Sequence, residues 1–286
     1  MLRKIPVLLA LFGILAGCLP AGQISTQEPV PNQTAALPTG AIPSQSPAAA
    51  DTPTPSLPPA AIPIDQMPEE AILILEPGPG SRLVDSIHLA GRAGPTFESH
   101  LLVLVVLEDG SVLTSLPLII QAEMGSRGPS ALDIPFELAE ERQAFILVSS
   151  SSPRDGGVTH LASVGVTLAV EGPAAIRPVE SHAERITITR PALGETLSGG
   201  LARVEGIALP SFEGTLIVEL LDGEGNPLAS LPVIVQAPDM GQYGPFAIDL
   251  PFQVSAPGPG RLVVRDPSVV FQGDVHLASV EVELAP

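Results

Sequence analysis

Five residues that occur twice constrain this chain more than any other feature. His160-Leu161-Ala162-Ser163-Val164 returns letter for letter as His276-Leu277-Ala278-Ser279-Val280, and the agreement extends backwards from there. Ile134-Pro135-Phe136 matches Leu250-Pro251-Phe252, Gly128-Pro129 matches Gly244-Pro245, and Ser115-Leu116-Pro117 matches Ser230-Leu231-Pro232. Gly91 falls on Gly206, and Glu76-Pro77 on Arg190-Pro191. The spacing stays near about 115 residues and drifts only where a loop gains a residue, so a whole domain of roughly 100 residues has been duplicated. The copies are placed at 71–170 and 185–286, joined by a Pro-containing connector at 171–184.

Within each copy the pattern is all-β. Val280, Val282 and Leu284 alternate with Ser279, Glu281 and Glu283, the period of a strand with one buried face. The run His100–Leu107 is apolar almost throughout, as expected of a strand covered on both faces. Turn signals such as Glu108-Asp109-Gly110, Asp155-Gly156-Gly157 and Pro257-Gly258-Pro259-Gly260 separate the runs. About seven short strands per copy predict two tandem immunoglobulin-like β-sandwiches. With one cysteine and no tryptophan in the chain, these are not antibody-type domains.

The second copy reads Pro191, Val204-Glu205-Gly206-Ile207-Ala208, Phe212-Glu213-Gly214, an acidic-Gly turn, Gly244-Pro245-Phe246 and a closing Val-Glu-Val strand. This series resembles the immunoglobulin-like domain of bacterial spore germination proteins. The first copy keeps Gly91-Arg92-Ala93 and Phe97-Glu98, and departs at Ser99 and at Ser130, where the second copy has Phe246. The resemblance implies a β-sandwich in an envelope protein, with no catalytic residue to carry across.

The N-terminal residues read as an export signal. Arg3 and Lys4 precede the apolar run Val7–Leu15, which is too short to span a bilayer. It ends in Leu15-Ala16-Gly17-Cys18, which resembles a bacterial lipobox. Cys18 is the single cysteine of 286 residues. In an oxidising compartment a lone thiol is better explained by lipidation than by pairing. The expected order is a signal peptide at 1–17, then a lipid-anchored linker at 18–70 rich in Pro, Ala, Ser and Thr. Prolines such as those in Thr52-Pro53-Thr54-Pro55 deny the linker helix and ladder alike. The expected location is the extracytoplasmic face of the cell membrane. A net charge of −18 argues against nucleic acid and against adhesion to anionic lipid by a basic patch.

Several side chains invite a functional reading. His160 and His276 share a face with Val164 and Val280, and a core-capping histidine accounts for them. Phe97-Glu98 and Phe212-Glu213 suit a core plug with a turn acceptor. Asp222, Glu224 and Asn226 alternate like a calcium loop, but Pro227 and Val233 stand where such a loop needs glycine and glutamate, which leaves a hairpin turn. No metal site, cofactor or catalytic motif is expected. The candidate partner-binding residues are Met124, Arg127, Met240 and Tyr243, on matching loops before Gly128-Pro129 and Gly244-Pro245. Packing of the two methionines into the sandwich ends is the competing account. The sequence thus points to a non-catalytic binding or scaffolding lipoprotein of the cell envelope, its partner an envelope protein or wall component. The alternatives are a structural spacer or accessory subunit of a membrane complex, or a wall-polysaccharide binder. The last is weakened by the lack of tryptophan and the single tyrosine.

Overall fold

A computed structural model describes residues 62–210 and 213–286. The expected signal peptide, the lipobox with Cys18, most of the linker, and Phe212 lie outside the described residues. Each half contains eight strands, in the same order. The first half comprises β1 (Ile72–Glu76), β2 (Arg82–Val84), β3 (Ser86–Ala93), β4 (His100–Leu107), β5 (Val112–Ile119), β6 (Gly128–Pro135), β7 (Arg142–Ser151) and β8 (Val158–Ala169). The second comprises β9 (Ile186–Arg190), β10 (Thr196–Leu197), β11 (Leu201–Ala208), β12 (Thr215–Asp222), β13 (Pro227–Ile234), β14 (Gly244–Pro251), β15 (Gly258–Pro267) and β16 (Asp274–Leu284). The eighth strand beyond the expected seven is a short piece, β2 or β10, that pairs parallel with the closing strand β8 or β16.

Two of the sheets are small, with orders β1-β3-β6 and β9-β11-β14. The remaining strands form one continuous ten-stranded sheet, ordered β13-β12-β15-β16-β8-β7-β4-β5, with β2 and β10 attached to β8 and β16. Each small sheet packs on its own half of the large one. Ile72, Leu89, Val103, Ile146 and Val166 fill the first core; Val204, Val218, Phe246, Leu262 and Val282 fill the second. Alternation puts these residues inward, and each such side chain contributes about 1.5–3 kcal/mol by leaving water.

The large sheet carries a third apolar cluster made of Val106, Leu147, Leu161, Val263, Phe271, Val275 and Leu277. The strand positions among them alternate with core residues, so the cluster lies on the outer face of the sheet, and Phe271 joins it from the turn between β15 and β16. It explains how β4 departs from its expected burial. Val105, Val106 and Leu107 are buried, but Leu102 is exposed, because the outer face is covered only where the other half reaches it.

The outermost strands, β5 and β13, have Pro117 and Pro232 in their interiors. Proline lacks a ladder donor and belongs on a sheet edge.

Gly91 and Gly206 occupy matching places where the middle strand of a small sheet passes close to the backbone of its neighbour. A Cβ at Gly91 would stand 2.5 Å from the Leu73 carbonyl oxygen, and one at Gly206 2.5 Å from that of Thr187 and inside the Phe246 ring. Gly206→Ala is therefore expected to destabilise the protein by about 1–3 kcal/mol, the cost of overpacking. Urea denaturation checks this, and an unchanged midpoint would contradict the close approach.

Candidate functional site

The repeated pentapeptide lies where the two halves meet. β8 and β16 pair antiparallel, with Leu161 opposite Leu277 and His160 opposite Ala278. Since Leu161 and Leu277 are the same residue of the repeat, a pseudo-two-fold axis passes between them. The His–Glu contacts and the backbone bonds near this axis come in matched pairs, as in an isologous dimer interface.

On the inner face the axis is surrounded by ionisable groups. His160 Nε2 lies 3.4 Å from Glu184 Oε2, and His276 Nδ1 lies 3.7 Å from Glu70 Oε1. Each histidine thus faces the glutamate that enters the first strand of the other half. The backbone repeats the exchange: Glu70 N–H donates to the His182 carbonyl at 2.9 Å, and Glu184 N–H to the Pro68 carbonyl at 2.8 Å. Glu184 also accepts from the Ala71 N–H at 2.9 Å. Glu70, Arg185, Leu209, Tyr243 and His276 help line a cavity of about 100 Å³ beside this cluster.

Burial governs protonation here. Glu70 is pushed up to about 8, first by desolvation and then by the charge of Glu184, against the pull of Arg185 and Arg127. Desolvation pushes His276 well below its usual range, helped by Arg185 and His160. His160 is lowered by the same burial, with Glu184 opposing. Both shifts favour the uncharged forms, a protonated acid and a neutral imidazole, and at 3.7 Å the two are too far apart for a hydrogen bond. Among the described residues, no group of three or more His, Cys, Asp or Glu side chains is arranged to hold a metal ion.

On the outer face each half extends a hairpin over the other. Phe271, between β15 and β16, packs on Phe145 of β7, with ring centroids 5.0 Å apart at 52°. Asp155, between β7 and β8, meets Arg261 of β15 at 2.5 Å, with 1% of the arginine side chain and 2% of the aspartate exposed. Arg261 Nη1 also lies 3.7 Å from Glu281, which Arg154 holds at 2.7 Å. The connector at 171–184 stays close to the first half. Arg82 donates to the Pro173 and Glu171 carbonyls at 2.8 Å, and the Arg177 N–H donates to Ser81 Oγ at 2.9 Å.

The candidate partner-binding residues divide into two pairs. Met124 and Met240 are 88% and 95% exposed at their loop tips, so neither fills a sandwich end. Tyr243 is only 4% exposed, and its hydroxyl donates to the Ala183 carbonyl at 3.3 Å. Arg127 donates to the Glu70 carbonyl at 2.8 Å, and its Nε lies 3.3 Å from Glu69. Tyr243 therefore belongs to the packing around the cavity between the halves, and Arg127 holds the chain entering β1 of its own half; of the four, the two methionines are free to meet a partner.

Other expectations need correction. Phe97 is 57% exposed and fills no core, while Glu98 and Glu213 take positive φ at 53° and 48° as turn residues. The histidines do not cap the core through backbone; they face carboxylates of the opposite half. Asp222 accepts from the Asn226 side-chain amide at 3.0 Å and from the N–H groups of Asn226 and Glu224, both at 2.9 Å, and these bonds, the side-chain one first, hold its carboxyl below the usual range. Its oxygens serve the hairpin turn. Glu70, Glu184, Asp155, Arg261, Phe145 and Phe271 escaped the sequence reading. One signal was available for the glutamates: Glu70-Ala71-Ile72 recurs as Glu184-Arg185-Ile186.

No curated protein matches this chain. Among solved structures, it is similar to the titin domains Z1Z2 in complex with telethonin, at 15% identity over 76% of this chain and 97% of that one, TM-score 0.20. Bovine butyrophilin is similar at 12% identity over 75% of this chain and 99% of that one, TM-score 0.23. A red sea bream transglutaminase matches at 10% identity over 77% of this chain and 32% of that one, TM-score 0.27. These likenesses are too distant to inform the site. Sequence comparison is more specific: residues 185–270, within the second sandwich, match the family of the immunoglobulin-like domain of bacterial spore germination.

Proposed function

We propose that this protein is a lipid-anchored envelope protein whose paired sandwiches form a non-catalytic head that binds or scaffolds a partner outside the membrane. The observation that carries this reading is Leu15-Ala16-Gly17-Cys18, placed after a short apolar run and holding the chain's single cysteine. Acylation of Cys18 would attach the protein, and the Pro-rich linker would lift the head from the surface. The spore germination domain supports the bacterial setting, and immunoglobulin-like domains serve binding and structural roles. We assign the first sandwich, residues 71–170, to the same family. Its eight strands follow the order of the second, and Gly91 meets the same close approach as Gly206. Met124 and Met240, on matching exposed loops, are the side chains we assign to partner contact.

Mass spectrometry of membrane-extracted protein should find the mature N-terminus at an acylated Cys18. Cys18→Ala should leave the precursor unprocessed or release the protein to the soluble fraction. Wild-type protein recovered in solution, with Leu19 or a later residue as its N-terminus, would overturn the anchor.

A further inference from the structure

The two outer-face clamps use the same positions of the repeat and fill them with different chemistry. Phe145 corresponds to Arg261, Asp155 to Phe271, and Gly110 to Gly225. Phe271 lies over Gly110 and on Phe145, while Asp155 lies over Gly225 and on Arg261. One clamp is thus aromatic on aromatic, and its symmetry mate is carboxylate on guanidinium.

We propose that the halves form an internal dimer whose pairing is coded by these clamps, so that each sandwich recognises the other and rejects a copy of itself. Two second sandwiches paired in the same way would set Arg261 against Phe271 twice. Each guanidinium would lose Asp155 and keep only Glu281 of its own sheet at 3.7 Å. Two first sandwiches would set Asp155 against Phe145 twice, burying a carboxylate on an apolar ring. Only the mixed pair satisfies both clamps. Stranding one partner of a buried ion pair disfavours a homodimer on the order of a hundredfold per clamp. The rest of the interface discriminates weakly: the cross-pair Arg154–Glu281, whose counterparts are Val270 and Gly165, is partly exposed and adds little. The ladder sets the repeated pentapeptide against itself, and either homodimer would keep histidine facing glutamate. Specificity resides in the mismatch of the wrong pairs. The partner that fits each surface is a sandwich carrying the complementary clamp.

The test uses the full chain with a protease site inserted after Glu180, in the exposed connector, cut after folding. Native mass spectrometry then identifies which halves associate, after incubation in moderate urea to permit exchange. Wild-type halves should remain as one-to-one pairs, with homodimers at about one in a hundred complexes or fewer. Phe145→Arg with Phe271→Asp makes each half complementary to itself, and homodimers should rise to about half of all complexes. Should that variant not fold, Asp155→Phe with Arg261→Phe makes all clamps aromatic and should give the same rise. Cut wild-type halves that part as monomers would overturn the proposal. So would wild-type homodimers as common as the mixed pair, or a folded recoded chain that still sorts only into mixed pairs.

Discussion

Asp155→Asn will lower the stability of the head by about 3–5 kcal/mol, because it strands the Arg261 charge in a place that water does not reach. The substitution isolates charge from shape. Asp155 also accepts the Gly157 N–H at 3.0 Å to close its own turn, and an asparagine oxygen can do the same. For a protein of this size each kcal/mol moves the thermal midpoint by about 2–4 °C, so a fall of roughly 10 °C is expected. Converting both partners to phenylalanine should recover most of the loss, since the symmetry-related clamp already has that form. Differential scanning calorimetry of the single and double variants checks both statements. A single variant within about 1 kcal/mol of wild type would mean that solvent screens the pair after all.

The second large effect concerns pH. With its folded pKa raised from 4.5 to about 8, Glu70 contributes stability that is fully present below 4.5 and is lost as pH rises towards 8. In this window the folded chain holds a proton that the unfolded chain has released. The histidines act in the opposite direction. Both are lowered from 6.5, so the unfolded chain takes up protons first on acidification, and stability falls as pH drops below 6.5. The cluster therefore contributes a maximum near pH 6.5. Between there and pH 8 the wild type should lose about 2 kcal/mol, one proton's linkage over that interval. Glu70→Gln removes the titration while keeping the shape, and its urea midpoint should stay level on the alkaline side. Parallel declines for the two proteins would assign the loss to other groups.

Much of the architecture was legible because a duplicated sequence reports its own domain size, and because period-two alternation marks a buried face. Alternation does not say what buries it. The apolar run of β4 suggested cover on both faces, but the outer face is covered only towards Val106, and part of that cover is Phe271, more than 160 residues away in sequence. Glu70 and Glu184 fell at the borders of segments whose composition resembled connectors, and their depth depends on the other half of the molecule. Tyrosine and arginine on a glycine-punctuated loop suited an interface; Tyr243 is at one, although it lies within the chain, while Arg127 serves its own half. The repeated methionines show the converse limit. Identity at matching positions can arise from a shared packing need or from a shared exposed loop, and only the fold distinguishes them.

A sheet of this width is normally hazardous, because each free edge is a template on which further strands can add. Here the duplication has already used the closing strands β8 and β16 to join the halves, and both outer boundaries carry a proline. Strand-by-strand accretion on the large sheet is consequently opposed at both of its ends. Copies of the head meeting at high concentration are therefore expected to touch through loops or faces rather than by extending the large sheet edge to edge.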